Sequence, residues 1–306
     1  MAGLLDGKVA LVTGAGHGIG RGHALELAKH GAAVVVNDLG SSATGEGSGR
    51  DADVVVGLIE ARGGRASANY GDVGDEQQAA AMVQQAIDTY GKIDIVVNNA
   101  GIVRDKAIWN MGSDDFDLVM RVHVRGTWLI CRAASIHWRE RAKNGESNVG
   151  GRIINTTSGA GLLGNFGQTN YATAKAAIVG LTQTLNLELA RLGVTANVIG
   201  PGGITRISAT TMSNVTVREP DEIPDEEFDR FDPSLCCPVV AWLASDEAAH
   251  VSGQVIRAMG ENLHLMGGWH EAVTVSNGGK RWDATKLGDL MATKVFKTRA
   301  TGLSLG

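Results

Sequence analysis

Cysteine is scarce in this chain of 306 residues: Cys131, Cys236 and Cys237 form an odd set, two of them adjacent. They make neither a disulfide framework nor a metal-ligand spacing, which favours a reducing, intracellular compartment. Basic charge is not in surplus either. The formal net charge of −5 runs against a general nucleic-acid binder, which is usually basic. No basic-then-apolar leader opens residues Met1 to Lys8, and no apolar run reaches the roughly 20 residues of a bilayer-spanning helix. The last residues, Leu303-Ser304-Leu305-Gly306, are not a peroxisomal address of the Ser-Lys-Leu type. Together these absences predict a cytoplasmic protein with no membrane span and no nucleic-acid partner.

Apolar residues, at 43%, are plentiful enough for a large core, and 42 glycines indicate many turns and close backbone approaches. Candidate strands recur at 9–13, 33–38, 66–70, 93–97, 152–157, 195–199 and 254–257. Helical patterns fall between them, over Arg21 to His30 (ended by Gly31), Glu76 to Tyr90, Asp114 to Lys143 and Thr169 to Leu192. Buried strands alternating with helices predict an α/β fold: a single Rossmann-like domain with a doubly wound parallel sheet of about seven strands and helices on both faces. The boundaries expected are 1–260 for this domain, with a substrate loop at about 202–235, and 261–306 for a C-terminal extension. Segment 39–50, rich in Gly and Ser, reads as a mobile loop. Segment 218–232 carries eight acidic and two basic side chains and reads as a solvated loop.

Between the first strand and the first helix lies Thr13-Gly14-Ala15-Gly16-His17-Gly18-Ile19-Gly20. Gly14 permits the sharp turn, and Gly18 and Gly20 let backbone amides and the helix N-terminus approach a pyrophosphate. His17 and Ile19 belong to the same turn. Such a cluster gains weight from its place after a strand and before a helix. Asp38 ends the second strand, 18 residues beyond Gly20. A carboxylate there accepts from ribose hydroxyls and repels a 2′-phosphate, so the expected cofactor is NAD in preference to NADP; turn formation is the bland alternative. Arg21 and Arg50 are the nearby cations that could answer a 2′-phosphate.

Tyr171 and Lys175 are four apart near the start of a helical pattern, hence on one face. A phenol titrates near 10. A neighbouring ammonium favours the phenolate and would draw that value down, fitting Tyr171 for proton exchange with a carbonyl or alcohol oxygen. Ser158, 13 residues earlier, can hydrogen-bond the same oxygen. Loop serines and Tyr/Lys pairs at this spacing are also common without any chemistry.

Taken in order, Thr13-Gly14-xxx-Gly18-Ile19-Gly20, Asn98-Asn99-Ala100-Gly101, Ser158, Tyr171-xxx-Lys175 and Pro201-Gly202 resemble the short-chain dehydrogenase/reductase family over roughly residues 5 to 260. The resemblance implies a nicotinamide cofactor and a Ser158-Tyr171-Lys175 centre, with Lys175 and Tyr171 also near the nicotinamide ribose. It implies that Asp72 and Val73 flank the adenine and that Asn99, Ala100 and Gly101 line the cofactor. Pro201, Gly202, Ile204 and Thr205 would lie near the carboxamide and phosphates. Many members carry Asn in the central helix where this chain has His123. It is counted as a fourth catalytic candidate, with a relay or architectural role and a charge that would vary near neutral pH. No metal is implied.

The segments 34–40, 121–126 and 164–171, and more loosely 267–269 and 280–282, resemble the (3R)-hydroxyacyl-CoA dehydrogenase domain of multifunctional β-oxidation enzymes, whose relatives also act on 17β-hydroxysteroids. This implies oxidation of a secondary alcohol to a ketone on a lipid-derived small molecule. An acidic loop suits polyanionic CoA poorly; the tail cations Lys280, Arg281, Lys286, Lys294, Lys297 and Arg299 could face its phosphates or a neighbouring subunit. A 3-oxoacyl-thioester or general carbonyl reductase and a non-catalytic cofactor-binding scaffold are the alternatives. By family analogy the helices at 114–143 and 169–192 would join a homo-oligomer, dimer or tetramer.

Overall fold

The fold is a computed structural model that describes residues 3–210, 214–224, 227–279, 281–295 and 303. Of the tail cations, Lys280, Lys297 and Arg299 lie outside the described residues. The strands are β1 (Val9–Thr13), β2 (Ala33–Asn37), β3 (Arg65–Asn69), β4 (Ile95–Asn98), β5 (Arg152–Thr156), β6 (Thr195–Pro201), β7 (Val255–Met259) and β8 (Asn262–Leu265). The helices are α1 (Gly18–Lys29), α2 (Asp51–Ala61), α3 (Glu76–Tyr90), α4 (Ser113–Met120), α5 (Gly126–Lys143), α6 (Gly159–Leu163), α7 (Thr169–Leu189), α8 (Cys237–Ala244) and α9 (Leu287–Leu290).

One sheet runs in the order β3-β2-β1-β4-β5-β6-β7-β8. The first seven strands are parallel, and β8 returns antiparallel, Ile256 opposite Leu265. The eighth strand escaped the sequence pattern because all four of its residues are exposed, so no buried run marks it. The parallel strands β1, β2, β4 and β5 are buried throughout, as expected for strands covered on both faces. One face packs Val12, Val34, Ile59 and Leu243 under α1, α2 and α8; the other packs Leu11, Val35, Ile130 and Trp138 under α3, α5 and α7. Trp138 is fully buried, and its indole N–H donates to the carbonyl of Ile93 at 2.9 Å.

The helix patterns hold with local adjustments. Helix α1 stops at Lys29, and Gly31 at φ +100° carries the chain away. Asp75 caps α3 by accepting from the amide of Gln78 at 2.9 Å. The long helix expected from Asp114 to Lys143 contains a π-helical turn at Arg121–Arg125 between α4 and α5. Such turns recur at functional sites, and His123 is its central residue.

The sheet order reverses direction between β1 and β4. In doubly wound sheets a ligand crevice opens at that point, outside the carboxyl ends of the strands. The Gly-rich turn, Asp38, Asp72, Asn99, Ser158 and Gly202 all follow strand C-termini and therefore share that edge.

Candidate active site

A cavity of about 240 Å³ lies at this edge, walled by Gly14, His17–Gly20, Asp38, Asp72, Val73, Asn99–Ile102 and Thr205. The residues expected at the Gly-rich turn, the adenosine ribose and the adenine, with Asn99, Ala100, Gly101 and Thr205, are therefore in one wall. Pro201, Gly202, Ile204, Ser158, Tyr171, Lys175 and His123 lie outside it. Gly202 donates to the Ala258 carbonyl at 2.8 Å and Ile204 to that of Phe231 at 2.8 Å.

The turn needs its glycines. Gly14 has φ +62°, and a Cβ there would fall 2.7 Å from the Cα of Ala100. A Cβ on Gly20 would meet the Gly14 carbonyl oxygen at 2.0 Å. Asn99 binds the turn to β4, donating to the carbonyls of Thr13 and Gly14 at 3.1 and 3.0 Å. Asp38 is buried, and its two oxygens accept from the amides of Gly16 and Gly40, each at 2.7 Å. It thus forms a turn and also stands in the cavity wall. Asp72 accepts from Gly74 at 2.7 Å and from Arg121 at 2.6 Å.

At the N-terminus of α1 the structure differs from the solvated loop expected of 218–232. The Glu219 carboxylate accepts from the amide of Gly18 at 2.6 Å and contacts His17 Nδ1 at 2.7 Å. Beside it, Arg21 pairs with Asp221 at 2.6 Å. The first amides of a helix attract anions, so an acidic loop beside a Gly-rich turn finds its partners there. Glu219 is a carboxylate standing where an anionic ligand group would be bound. Its contacts raise the His17 imidazole, the hydrogen bond that the ring donates to Glu219 leading.

The catalytic candidates cluster next to this cavity. Tyr171 and Lys175 lie on α7 and Ser158 caps α6, accepting from the amide of Ala160 at 3.3 Å. Lys175 is buried, donates to the Thr156 carbonyl at 2.9 Å and lies 5.6 Å from the Tyr171 ring centroid. Burial draws the ammonium down to about 7. Burial also pushes the phenol up to about 12, opposed by a hydrogen bond with Ser158. The lowering of Tyr171 by Lys175 expected from spacing is therefore absent here, because the ammonium is directed to a backbone carbonyl and desolvation outweighs it.

His123 stacks edge-on against Tyr171, ring centroids 5.3 Å apart at 86°. Its Nε2 faces the carbonyl and the amide of Ile102, at 2.8 and 3.1 Å. A Cβ on Gly101 would come 2.3 Å from the ring, so Gly101 makes room for it. Burial, with Lys175 adding, draws this imidazole down to about 3. The expectation that its charge varies near neutral pH is thus corrected: it stays neutral because it is enclosed.

Other features were not visible in the sequence. Segment 39–50 lies across the cavity, with Ser41 to Ala43 and Gly45 in its wall. It is tied down by Val103, which donates to the Ala43 carbonyl at 3.0 Å, and by Arg104, which donates to that of Thr44 at 3.0 Å. Arg206 and Arg121 also line the cavity. Of the cations singled out from sequence, Arg21 is paired with Asp221 and Arg50 with Asp53. From the tail, Leu303 donates to the Gly164 carbonyl at 2.8 Å. Only proximity in the folded chain links these residues to the site.

The family model for short chain dehydrogenase matches residues 8–217. The chain is 42% identical to hydroxyacyl-CoA dehydrogenase ChsB1 of Mycobacterium tuberculosis, over 92% of this chain and 87% of that protein. It is 39% identical to mouse peroxisomal multifunctional enzyme type 2, over 81% of this chain but 31% of that much longer protein. Identity to a 3-oxoacyl-[acyl-carrier-protein] reductase of Synechocystis is 38%, over 84% and 97% of the two chains. A crystal structure of a short chain dehydrogenase from Mycobacterium avium superposes with TM-score 0.86 at 41% identity, covering 99% of this chain and 100% of that one. With its eight-stranded sheet, Gly-rich turn and clustered Ser158, Tyr171 and Lys175, the chain belongs to the short-chain dehydrogenase family and is an oxidoreductase.

Proposed function

We propose that the chain is an NAD-dependent dehydrogenase that interconverts a secondary alcohol and a ketone on a lipid-derived substrate, a 3-hydroxyacyl-CoA or a hydroxysteroid. The observation that carries this reading is the convergence of Ser158, Tyr171 and Lys175 beside a cavity whose wall includes a carboxylate at the end of β2. The cavity suits a dinucleotide: Gly14, Gly18 and Gly20 leave space that a Cβ would fill, and the Gly18 amide already holds an anionic oxygen of Glu219.

In this reading Tyr171 takes the alcohol proton during oxidation and returns it during reduction. Ser158 donates to the same substrate oxygen and stabilises its developing charge. Lys175, close to 7, is divided between charged and neutral forms near neutrality; an anionic group in the adjoining cavity would raise the charged share and so favour the phenolate. His123 is a positioning residue, bracing the Tyr171 ring against the Ile102 backbone. The nicotinamide, when bound, supplies hydride exchange at the substrate carbon. Asp38 would accept from the adenosine ribose and disfavour a 2′-phosphate.

The hydroxyacyl-CoA assignment rests on the relatives that bear that name. A reductase working in the opposite direction is the second reading, favoured by the Synechocystis relative and by Arg206 in the cavity wall. Association of copies through α5 and α7 is part of the proposal, supported by the exposed apolar Trp128, Ile136 and Leu187 on those helices. The deciding experiment is a panel of oxidations with NAD⁺ and NADP⁺, run beside reductions of 3-oxoacyl thioesters with NADH and NADPH. It compares 3-hydroxyacyl-CoA esters of both configurations with 17β-hydroxysteroids. Turnover with NAD⁺ on one class is expected. Turnover confined to NADPH and 3-oxoacyl thioesters would establish the second reading instead.

A further inference from the structure

His23 lies at the centre of α1, on the side that packs against α8. It is 0% exposed, and among the described residues neither ring nitrogen has a hydrogen-bond partner. A buried polar group without a partner is uncommon and calls for a physical reason. Two other groups face it. Cys236 and Cys237, both buried and both free thiols, stand at the N-terminus of α8. One ligand atom from each of the three residues lies within 4.8 Å of the others. Some point is therefore within about 2.8 Å of all three, against roughly 2.3 Å for a zinc–thiolate bond and 2.0–2.1 Å for zinc–imidazole. Closing the site takes shifts of a few tenths of an ångström, within the reach of side-chain rotation.

We propose that His23, Cys236 and Cys237 form a buried binding site for a thiophilic divalent ion, Zn²⁺ by preference. The charge balance selects the ion. Two thiolates and one neutral imidazole carry a charge of −2, so a divalent ion leaves the enclosed site neutral, whereas a monovalent ion would leave a buried net charge. Binding releases two protons, one from each thiol, as ion–sulfur bonds replace S–H bonds. His23 suits this role, since its ring is fully enclosed and both ring nitrogens are unengaged among the described residues. The carboxylates of Glu26 and Asp232 are near enough to act on Cys237; their negative charge draws a cation toward the site and opposes bare thiolates, so the ion must take the place of the thiol protons. The carbonyls of Ile19 and Pro233, 3.9 and 4.0 Å from Cys237 Sγ, are the oxygens at hand for a fourth position. Gly22 makes the approach possible: a Cβ there would stand 2.8 Å from the same sulfur.

Nothing in the linear spacing suggests this site, because His23 precedes the cysteines by more than two hundred residues. The ion would fasten the helix behind the Gly-rich turn to the segment that follows the acidic loop.

The test titrates the full-length, reduced and chelator-stripped protein with Co²⁺, a spectroscopic substitute for Zn²⁺, followed by Zn²⁺ competition. Expected are one ion per chain, a thiolate-to-cobalt charge-transfer band with intense tetrahedral-type visible bands, displacement by Zn²⁺ and two protons released per ion. His23→Phe and Cys237→Ala, apolar exchanges at buried positions, should abolish the bands while circular dichroism stays native. Cys131→Ala should leave them unchanged. If the stripped protein shows no sulfur band, or if the bands survive in both His23→Phe and Cys237→Ala, the site does not exist. A native mass lower by two hydrogens, restored by reductant and accompanied by no ion uptake, would assign the pair to a Cys236–Cys237 disulfide and also overturn the proposal. Should either variant unfold, protection of Cys236 and Cys237 from alkylation by one equivalent of Zn²⁺ in the parent protein decides the matter, and equal labelling with and without Zn²⁺ refutes it.

Discussion

At the catalytic end of the site, the groups are held by neighbours within the sheet-and-helix frame. Lys175 is fastened to the carbonyl of Thr156 at 2.9 Å, and His123 to the backbone of Ile102 at 2.8 Å. At the phosphate end, the amide of Gly18 is answered by Glu219, a residue 201 positions away in an acidic loop. The first region is set by packing that accompanies folding itself. The second is satisfied by a carboxylate that a pyrophosphate would have to displace. In the proposed function, a catalytic centre assembled in advance would thus stand beside an anion site that carries an internal competitor. The modest cavity of about 240 Å³, below the roughly 300–1,000 Å³ of ordinary ligand pockets, fits the same contrast.

The largest effect should come from the preformed end. Tyr171→Phe is expected to reduce turnover by about 10²–10⁴-fold, the range for loss of general acid–base catalysis, while NADH binding measured by fluorescence remains. Retained turnover would remove the phenol from the mechanism. At the cofactor end, Asp38→Asn keeps the shape and removes the charge. Loss of a charged hydrogen bond, about 1.5–3 kcal/mol, should weaken NADH roughly 10–100-fold and shift selectivity toward NADPH; unaltered binding of both would show that Asp38 serves the turn alone.

Glu219→Gln should act in the opposite sense. Removing the competing charge is expected to tighten NADH by about tenfold, equivalent to about 1.4 kcal/mol. Equal or weaker binding would mean that the carboxylate does not compete with the cofactor, and the contrast between the two ends would collapse.

The smallest effect concerns pH and stability. Burial, with Lys175 adding, draws the His123 imidazole down to about 3 when folded, against about 6.5 for an unperturbed histidine. The unfolded chain therefore takes up a proton, below about pH 6.5, that the folded chain refuses. Stability is complete above that pH and is lost progressively as pH falls toward 3. At pH 5.5 the cost from this one residue is about 1.4 kcal/mol. Urea midpoints at pH 7.5 and 5.5 should fall further apart for the parent than for His123→Gln, and identical separations would contradict the enclosure of this ring.

How far the sequence reaches can be seen at particular residues. The segments 9–13, 33–38 and 152–157 appear as β1, β2 and β5 within a residue or so, because strands buried on both faces carry short stretches rich in apolar, β-branched residues. The exposed β8 has no such constraint and left no pattern. Gly14 and Gly20 were legible because their roles depend on a local turn and the first turn of a helix. His123 could be marked from its place in the central helix, but its neutrality follows from enclosure by Gly101, Ile102 and Tyr171, which come from other segments. Likewise, the effect of Lys175 on Tyr171 depends on where the ammonium points, and a four-residue spacing does not carry that.

The sequence by itself determined the alternation of strand and helix and the Gly-rich turn between β1 and α1, since each is written in short-range periodicity or spacing, while Ser158, Tyr171 and Lys175 were marked by the ordered set of motifs that resembles the family. Only the tertiary structure decided that Glu219 meets the amide of Gly18, that segment 39–50 crosses the cavity and that His23 faces Cys236 and Cys237. These are meetings between segments far apart along the chain. Chain closure and desolvation create them, and no local pattern of residues encodes either one.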